Sequence, residues 1–80
     1  MSVADDVLAT IAAVTREPAV HADRDVDLFA HQILDSLRAI ELLLALSQRF
    51  GVSIALSEID RVAWSTPNRI VSFMEQRIGV

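Results

Sequence analysis

The chain has 80 residues, no cysteine and a net charge of −4, from eleven Asp and Glu against seven basic residues that are all arginine. These counts exclude disulfides, thiolate metal sites and cysteine nucleophiles, predict a single domain spanning residues 1–80, and disfavour nucleic acid, which needs a basic face. A hydrophobic share of 52% is too high for a disordered chain, and 5% aromatics is too few for a base-stacking platform.

The first element reads as a helix. Val3, Val7, Ile11 and Val14 recur at helical spacing with Leu8 alongside. Ser2 is a fitting cap, and Asp5 and Asp6 put negative charge near the first turn, where the helix dipole favours it. Glu17-Pro18 ends the helix, because proline disfavours helical geometry in the residue before it. The expected span is Ser2 to Arg16. No basic run or long apolar stretch marks residues 1–6, so no secretory leader is expected. The longest apolar run, Leu42 to Leu46, is far short of the ~20 residues that cross a membrane. The expectation is a cytoplasmic protein that does not insert into membranes.

A long polar connection follows, from Glu17 to Leu34, with Leu28, Phe29, Ile33 and Leu34 expected to pin its second half to the core. Its Asp23, Asp25 and Asp27 match the first three ligand positions of a calcium loop. Leu28 stands where that loop needs Gly, however, and Leu34 where it needs Glu. His21 and His31 have neither helical nor hairpin spacing, and read as surface residues. No metal site is expected.

The second helix carries the strongest pattern. Asp35 caps it, Leu37, Ile40, Leu43 and Leu44 form an apolar stripe running toward Phe50, and Gly51 stops it. Leu42 and Leu46 fall off that stripe. Next, Ser57-Glu58-Ile59-Asp60 resembles a capping box with Asp for Glu, predicting a short third helix to about Val62. Thr66-Pro67 then gives a cap followed by proline at the first helical position. Ile70, Val71, Met74 and Ile78 face inward, and Gly79 closes the last helix. The expected fold is all-α: four helices with a long first loop and a short third helix.

Ser36 stands where the long loop meets the best helix. As a nucleophile with His31 as base it lacks an oxyanion-hole motif and a Gly-rich elbow, so no catalytic residue is expected. In Asp35-Ser36-Leu37, the ordinary role of the first two residues is helix capping.

Combined with the size, the helix order and the acidic charge, Asp35-Ser36-Leu37 resembles the phosphopantetheine-dependent acyl and peptidyl carrier proteins. Downstream, Ile40-Glu41-Leu42-Leu43-Leu44-Ala45-Leu46, Arg49-Phe50, Glu58-Ile59-Asp60-Arg61 and Trp64-x-Thr66-Pro67-Asn68-x-Ile70-Val71 resemble the D-alanyl carrier protein family, over about Leu28 to Phe73. The resemblance implies an acyl-carrier-like four-helix bundle. It also implies a 4′-phosphopantetheine group, taken from coenzyme A and attached to Ser36, with Asp35 contributing to the attachment site. The implied partners are a phosphopantetheinyl transferase, an adenylating aminoacyl ligase and a downstream acyltransferase or synthase, served by a monomeric carrier that is not an enzyme.

Partner contacts are expected at Leu37, Arg38, Glu41 and Leu42 on the second helix, and at Ile59 and Arg61 on the short third element. Glu41 is the only acid on the exposed second-helix positions so read, unlike the several carboxylates usual in fatty-acid carriers. Trp64 is expected to pack in the core. The chain departs from the D-alanyl carrier pattern at Gln32, where those proteins typically have Gly, and at Leu37, where they often have Phe. It also lacks the usual lysines and is rich in Ala, Arg and Val, which suggests high-GC coding. Two aminoacyl pathways therefore stay open, teichoic acid D-alanylation and natural-product assembly such as a macrolactam antibiotic, and so does a general acyl carrier of fatty-acid or polyketide synthesis.

Overall fold

The computed structural model describes residues 2–79. Its first helix, α1, spans Val3–Thr15. The Ser2 hydroxyl accepts from the Asp5 N–H at 3.1 Å, and Arg16 closes the helix in a left-handed conformation, its N–H donating to the Ala12 carbonyl. The second helix, α2, covers Ser36–Phe50, with Asp35 as cap and Gly51 at φ 66° as stop. The third, α3, covers Pro67–Ile78, where the Thr66 hydroxyl accepts from the Arg69 N–H at 3.1 Å. All six ends fall where the cap residues put them, because capping is decided by a few neighbouring groups.

The fourth helix is not present as such. Among the described residues there are three α-helices and two 3-10 turns, Pro18–His21 and Leu56–Glu58. The expected Ser57-to-Asp60 box does not form. Instead the Glu58 carboxylate accepts from the Ala55 N–H, and Asp60 caps the following turn through the N–H groups of Val62 and Ala63. With both acids drawn to other donors, the segment makes a single 3-10 turn.

The second correction concerns α2. Ala39, Leu42, Leu43 and Leu46 are its buried residues, whereas Leu37 and Leu44 are 65% and 54% exposed and Ile40 is also exposed. Positions 39, 42, 43 and 46 and positions 37, 40 and 44 each have helical spacing, on opposite faces at about 100° per residue. Both faces are apolar, so periodicity alone did not choose between them.

The core is built from Val7, Leu8 and Ile11 of α1, Leu42 and Leu46 of α2, and Ile70 and Met74 of α3, with Val20, Leu28, Leu34 and Trp64 from the connections. Helix α1 packs against both other helices. Trp64 is fully buried and meets Phe73 edge to face at 5.7 Å, as expected for a core residue.

The long first connection is stitched to the start of α3. The Leu28 N–H donates to the Ser65 carbonyl at 2.7 Å, the Asn68 N–H to the Arg24 carbonyl at 2.9 Å, and the Asn68 side-chain amide to the Asp25 carboxylate at 3.0 Å. The loop aspartates therefore have structural work: Asp23 accepts from the Asp25 N–H, and Asp27 from those of Phe29 and Ala30. These bonds fix the loop that leads into Ser36. No helix among the described residues is long and apolar enough to cross a membrane.

Candidate functional site

Ser36 is the first residue of α2 and is exposed. An α-helix begins with N–H groups that have no partner inside it. Here the Asp35 carboxylate accepts from the Arg38 N–H at 2.8 Å, and the Asp35 carbonyl from the Ala39 N–H at 2.8 Å. The amides of Ser36 and Leu37 stay at the open end of the helix, beside the Ser36 hydroxyl. An anion joined to that hydroxyl would meet the positive end of the dipole and two N–H groups that make no hydrogen bond among the described residues, an arrangement worth about 0.3–1 kcal/mol at an exposed site.

The hydroxyl borders a groove of about 750 Å³. Its α2 side comes from Asp35, Ser36, Ala39 and Ile40, and the preceding loop supplies Phe29, Gln32 and Leu34. The far side comes from Leu56, Ile59, Asp60 and Arg61. The Arg61 guanidinium lies over the Phe29 ring, 5.4 Å from its centroid. Asp35, Ser36, Ile59 and Arg61, all expected at the site from sequence, thus line one depression.

The other expected contacts divide. Leu37 and Glu41 are exposed on the outer face of α2. Arg38 turns away: its guanidinium donates to the Val14 carbonyl at 2.6 Å, satisfying the end of α1, and it lines a separate hollow of about 330 Å³ with His31, Gln32 and Asp35. Leu42, expected as an exposed contact, is 0% exposed and belongs to the core. Ile40 and Leu44 occupy the outer face in its place, between and beyond Leu37 and Glu41. The signal that could have found them was the 37, 40, 44 spacing, which was assigned to the interior. His21 and His31 are both exposed, as expected of surface residues.

Comparison with known proteins agrees with this geometry. The phosphopantetheine attachment site family matches residues 5–74. The chain belongs to the phosphopantetheine-dependent carrier family. The carrier is 40% identical to the D-alanyl carrier protein of Bacillus velezensis, over 90% of this chain and 92% of that one. It is 36% identical to the D-alanyl carrier protein of Bacillus subtilis, over 95% and 97% of the two chains. With that of Lacticaseibacillus casei it shares 39% identity, over 94% and 93%. It is a carrier protein and not an enzyme, and its domain is of the kind to which a 4′-phosphopantetheine group is attached. The residues present fit such a group: an exposed hydroxyl at a helix N-terminus and an adjoining groove lined by both apolar and polar side chains.

Proposed function

We propose that the carrier holds an aminoacyl group as a thioester on a 4′-phosphopantetheine arm attached to Ser36. It would collect that group from an adenylating ligase and deliver it to an acyltransferase or synthase. The observation that carries this reading is the placement of Ser36, exposed at the capped, open end of α2. When bound, the prosthetic group supplies a terminal thiol, so a chain without cysteine takes part in thiol chemistry.

The chain's own residues present and position. Asp35 fixes the first turn of α2 and so the direction of the Ser36 hydroxyl, and it is the residue nearest in sequence for a phosphopantetheinyl transferase to read. The amides of Ser36 and Leu37 stabilise the negative charge of the linkage. Leu37, Ile40 and Leu44, with Glu41 among them, form the docking face on α2, and Ile59 and Arg61 extend it across the groove. A small contact suits a shuttle that must release each partner in turn.

D-alanine is the cargo favoured by the names of the three relatives described above, each a D-alanyl carrier protein. The α2 part of the docking face favours partners other than fatty-acid synthase enzymes, because Glu41 is the one carboxylate beside Leu37, Ile40 and Leu44. The protein acts in this reading as a single-domain, monomeric carrier in the cytoplasm. Its acceptor is either a cell-wall teichoic acid or a growing natural product, to which the departures in composition point. The test is a loading panel on the phosphopantetheinylated protein, offering D-Ala, L-amino acids, malonyl and fatty acyl groups with their activating enzymes. D-alanyl or another aminoacyl thioester is expected. Efficient loading by malonyl or fatty acyl groups alone overturns the reading in favour of a general acyl carrier.

A further inference from the structure

The chain between α2 and α3 has few polar ties to the rest of the molecule. From residue 53 to residue 64 its own hydrogen bonds are local. The Glu58 carboxylate accepts from the Ala55 N–H, and the Ile59 N–H donates to the Leu56 carbonyl at 3.1 Å. The Asp60 side chain accepts from the N–H groups of Val62 and Ala63, and its carbonyl from that of Trp64. Ile54 and Trp64 are buried, while Leu56 and Val62 between them are 60% and 69% exposed. A stretch held in this way opens more readily than the helices beside it.

One side chain of α3 secures its first half. Arg77, in the last turn of that helix, donates through Nη1 to the Ser53 carbonyl at 3.4 Å and pairs through Nη2 with the Glu58 carboxylate. The two nitrogens of one guanidinium thus hold both ends of the 53–58 turn, a fork that an ammonium cannot reproduce. The same guanidinium lies over the Phe73 ring, 5.6 Å from its centroid, and Phe73 in turn meets Trp64. Among the described residues, no other hydrogen bond or ion pair joins residues 53–64 to a helix or to the first connection. The stacking of Arg61 on Phe29 is a further contact at the far end of the stretch.

A partly exposed ion pair adds little to the stability of a whole domain. The consequence of this one is local. Ile59 follows Glu58 directly and Arg61 comes two residues later, so what fixes Glu58 also fixes where those two stand relative to α2. We propose that Arg77 is a positioning residue for partner recognition. Through Ser53 and Glu58 it holds the turn so that Ile59 and Arg61 meet a partner in register with Leu37, Ile40 and Leu44. A partner reads Arg77 without touching it. The inference rests on the docking surface of the proposed function and adds the device that sets its second half.

The test combines amide hydrogen exchange with the kinetics of loading by a D-alanine-activating ligase, using phosphopantetheinylated protein. Arg77→Met keeps an apolar stem, and Glu58→Gln keeps an oxygen for the Ala55 N–H while removing the charge. In both, the amides of Ala55, Glu58 and Ile59 should exchange severalfold faster while those of α1 keep their protection. The KM of the ligase for the carrier should rise severalfold with kcat unchanged. The double variant should be no worse than Arg77→Met, because the two residues act as one unit, and Arg77→Lys should recover part of the loss. Faster exchange with an unchanged KM overturns the inference. So does a raised KM with unchanged exchange, which would make Arg77 a direct partner contact, and so do additive losses in the double variant. In each of those cases the wild type still loads, and the proposed function stands. A wild-type carrier that no aminoacyl ligase loads overturns the proposed function, and this inference with it.

Discussion

Truncating two leucines two positions apart on α2 separates the core from the docking face. Leu42 is 0% exposed and packs in the core, whereas Leu44 is 54% exposed on the opposite face. Replacing a buried leucine with alanine removes its burial and leaves a cavity, at a cost of about 2–5 kcal/mol. Small domains have a total stability of only about 5–15 kcal/mol, so Leu42→Ala removes a large part of it. At about 4–8 °C per kcal/mol for a chain of this size, the thermal midpoint should fall by roughly 10 °C or more. Leu44→Ala loses little burial and gains slightly in helix propensity, so its change should stay within about 0.5 kcal/mol. The assay is urea unfolding followed by the emission of Trp64, which is fully buried when folded and is the only tryptophan. Partner binding should show the reverse order, with Leu44→Ala weakening it and folded Leu42→Ala leaving it intact. Equal destabilisation by the two substitutions, or greater loss from Leu44→Ala, would refute the assignment of faces.

Asp35→Ala should cost about 1 kcal/mol by freeing the Arg38 N–H, and Asp35→Ser should recover most of that stability. If transferase action also reads the carboxylate, Asp35→Ser stays slow to be modified despite its restored stability, which a modification time course would show. Gly51→Ala should lose about 1 kcal/mol in the same urea assay. The site has open space around it but a φ of 66°, which disfavours any β-carbon.

How far the sequence was legible depended on how local each determinant is. The ends of α1, α2 and α3 could be read because Ser2, Asp35, Thr66-Pro67, Gly51 and Gly79 act on groups within a turn of themselves. Ser36 is singled out as the candidate by its place in Asp35-Ser36-Leu37 together with the downstream motifs, and the structure puts it, exposed, at the start of α2. The inner face of α2 was not, since which of two apolar stripes is buried depends on α1 and on the connections, which are distant in sequence. The error at Leu42 and the omission of Ile40 and Leu44 are one mistake seen from both sides. The short third element is present but shorter than its pattern implies, for a related reason: Glu58 and Asp60 each had a choice of backbone donors, and the surrounding chain decided it. Gln32 was visible only as a departure from glycine until its positive φ gave that departure a physical cost.

The central claim is that Ser36 bears the arm, and intact-protein mass spectrometry tests it most directly. Wild-type protein incubated with coenzyme A and a phosphopantetheinyl transferase should gain the mass of one phosphopantetheinyl group, and Ser36→Ala, with an unchanged unfolding curve, should gain none. Wild-type protein that keeps its apo mass, or a Ser36→Ala variant that still takes up the group, would contradict the account.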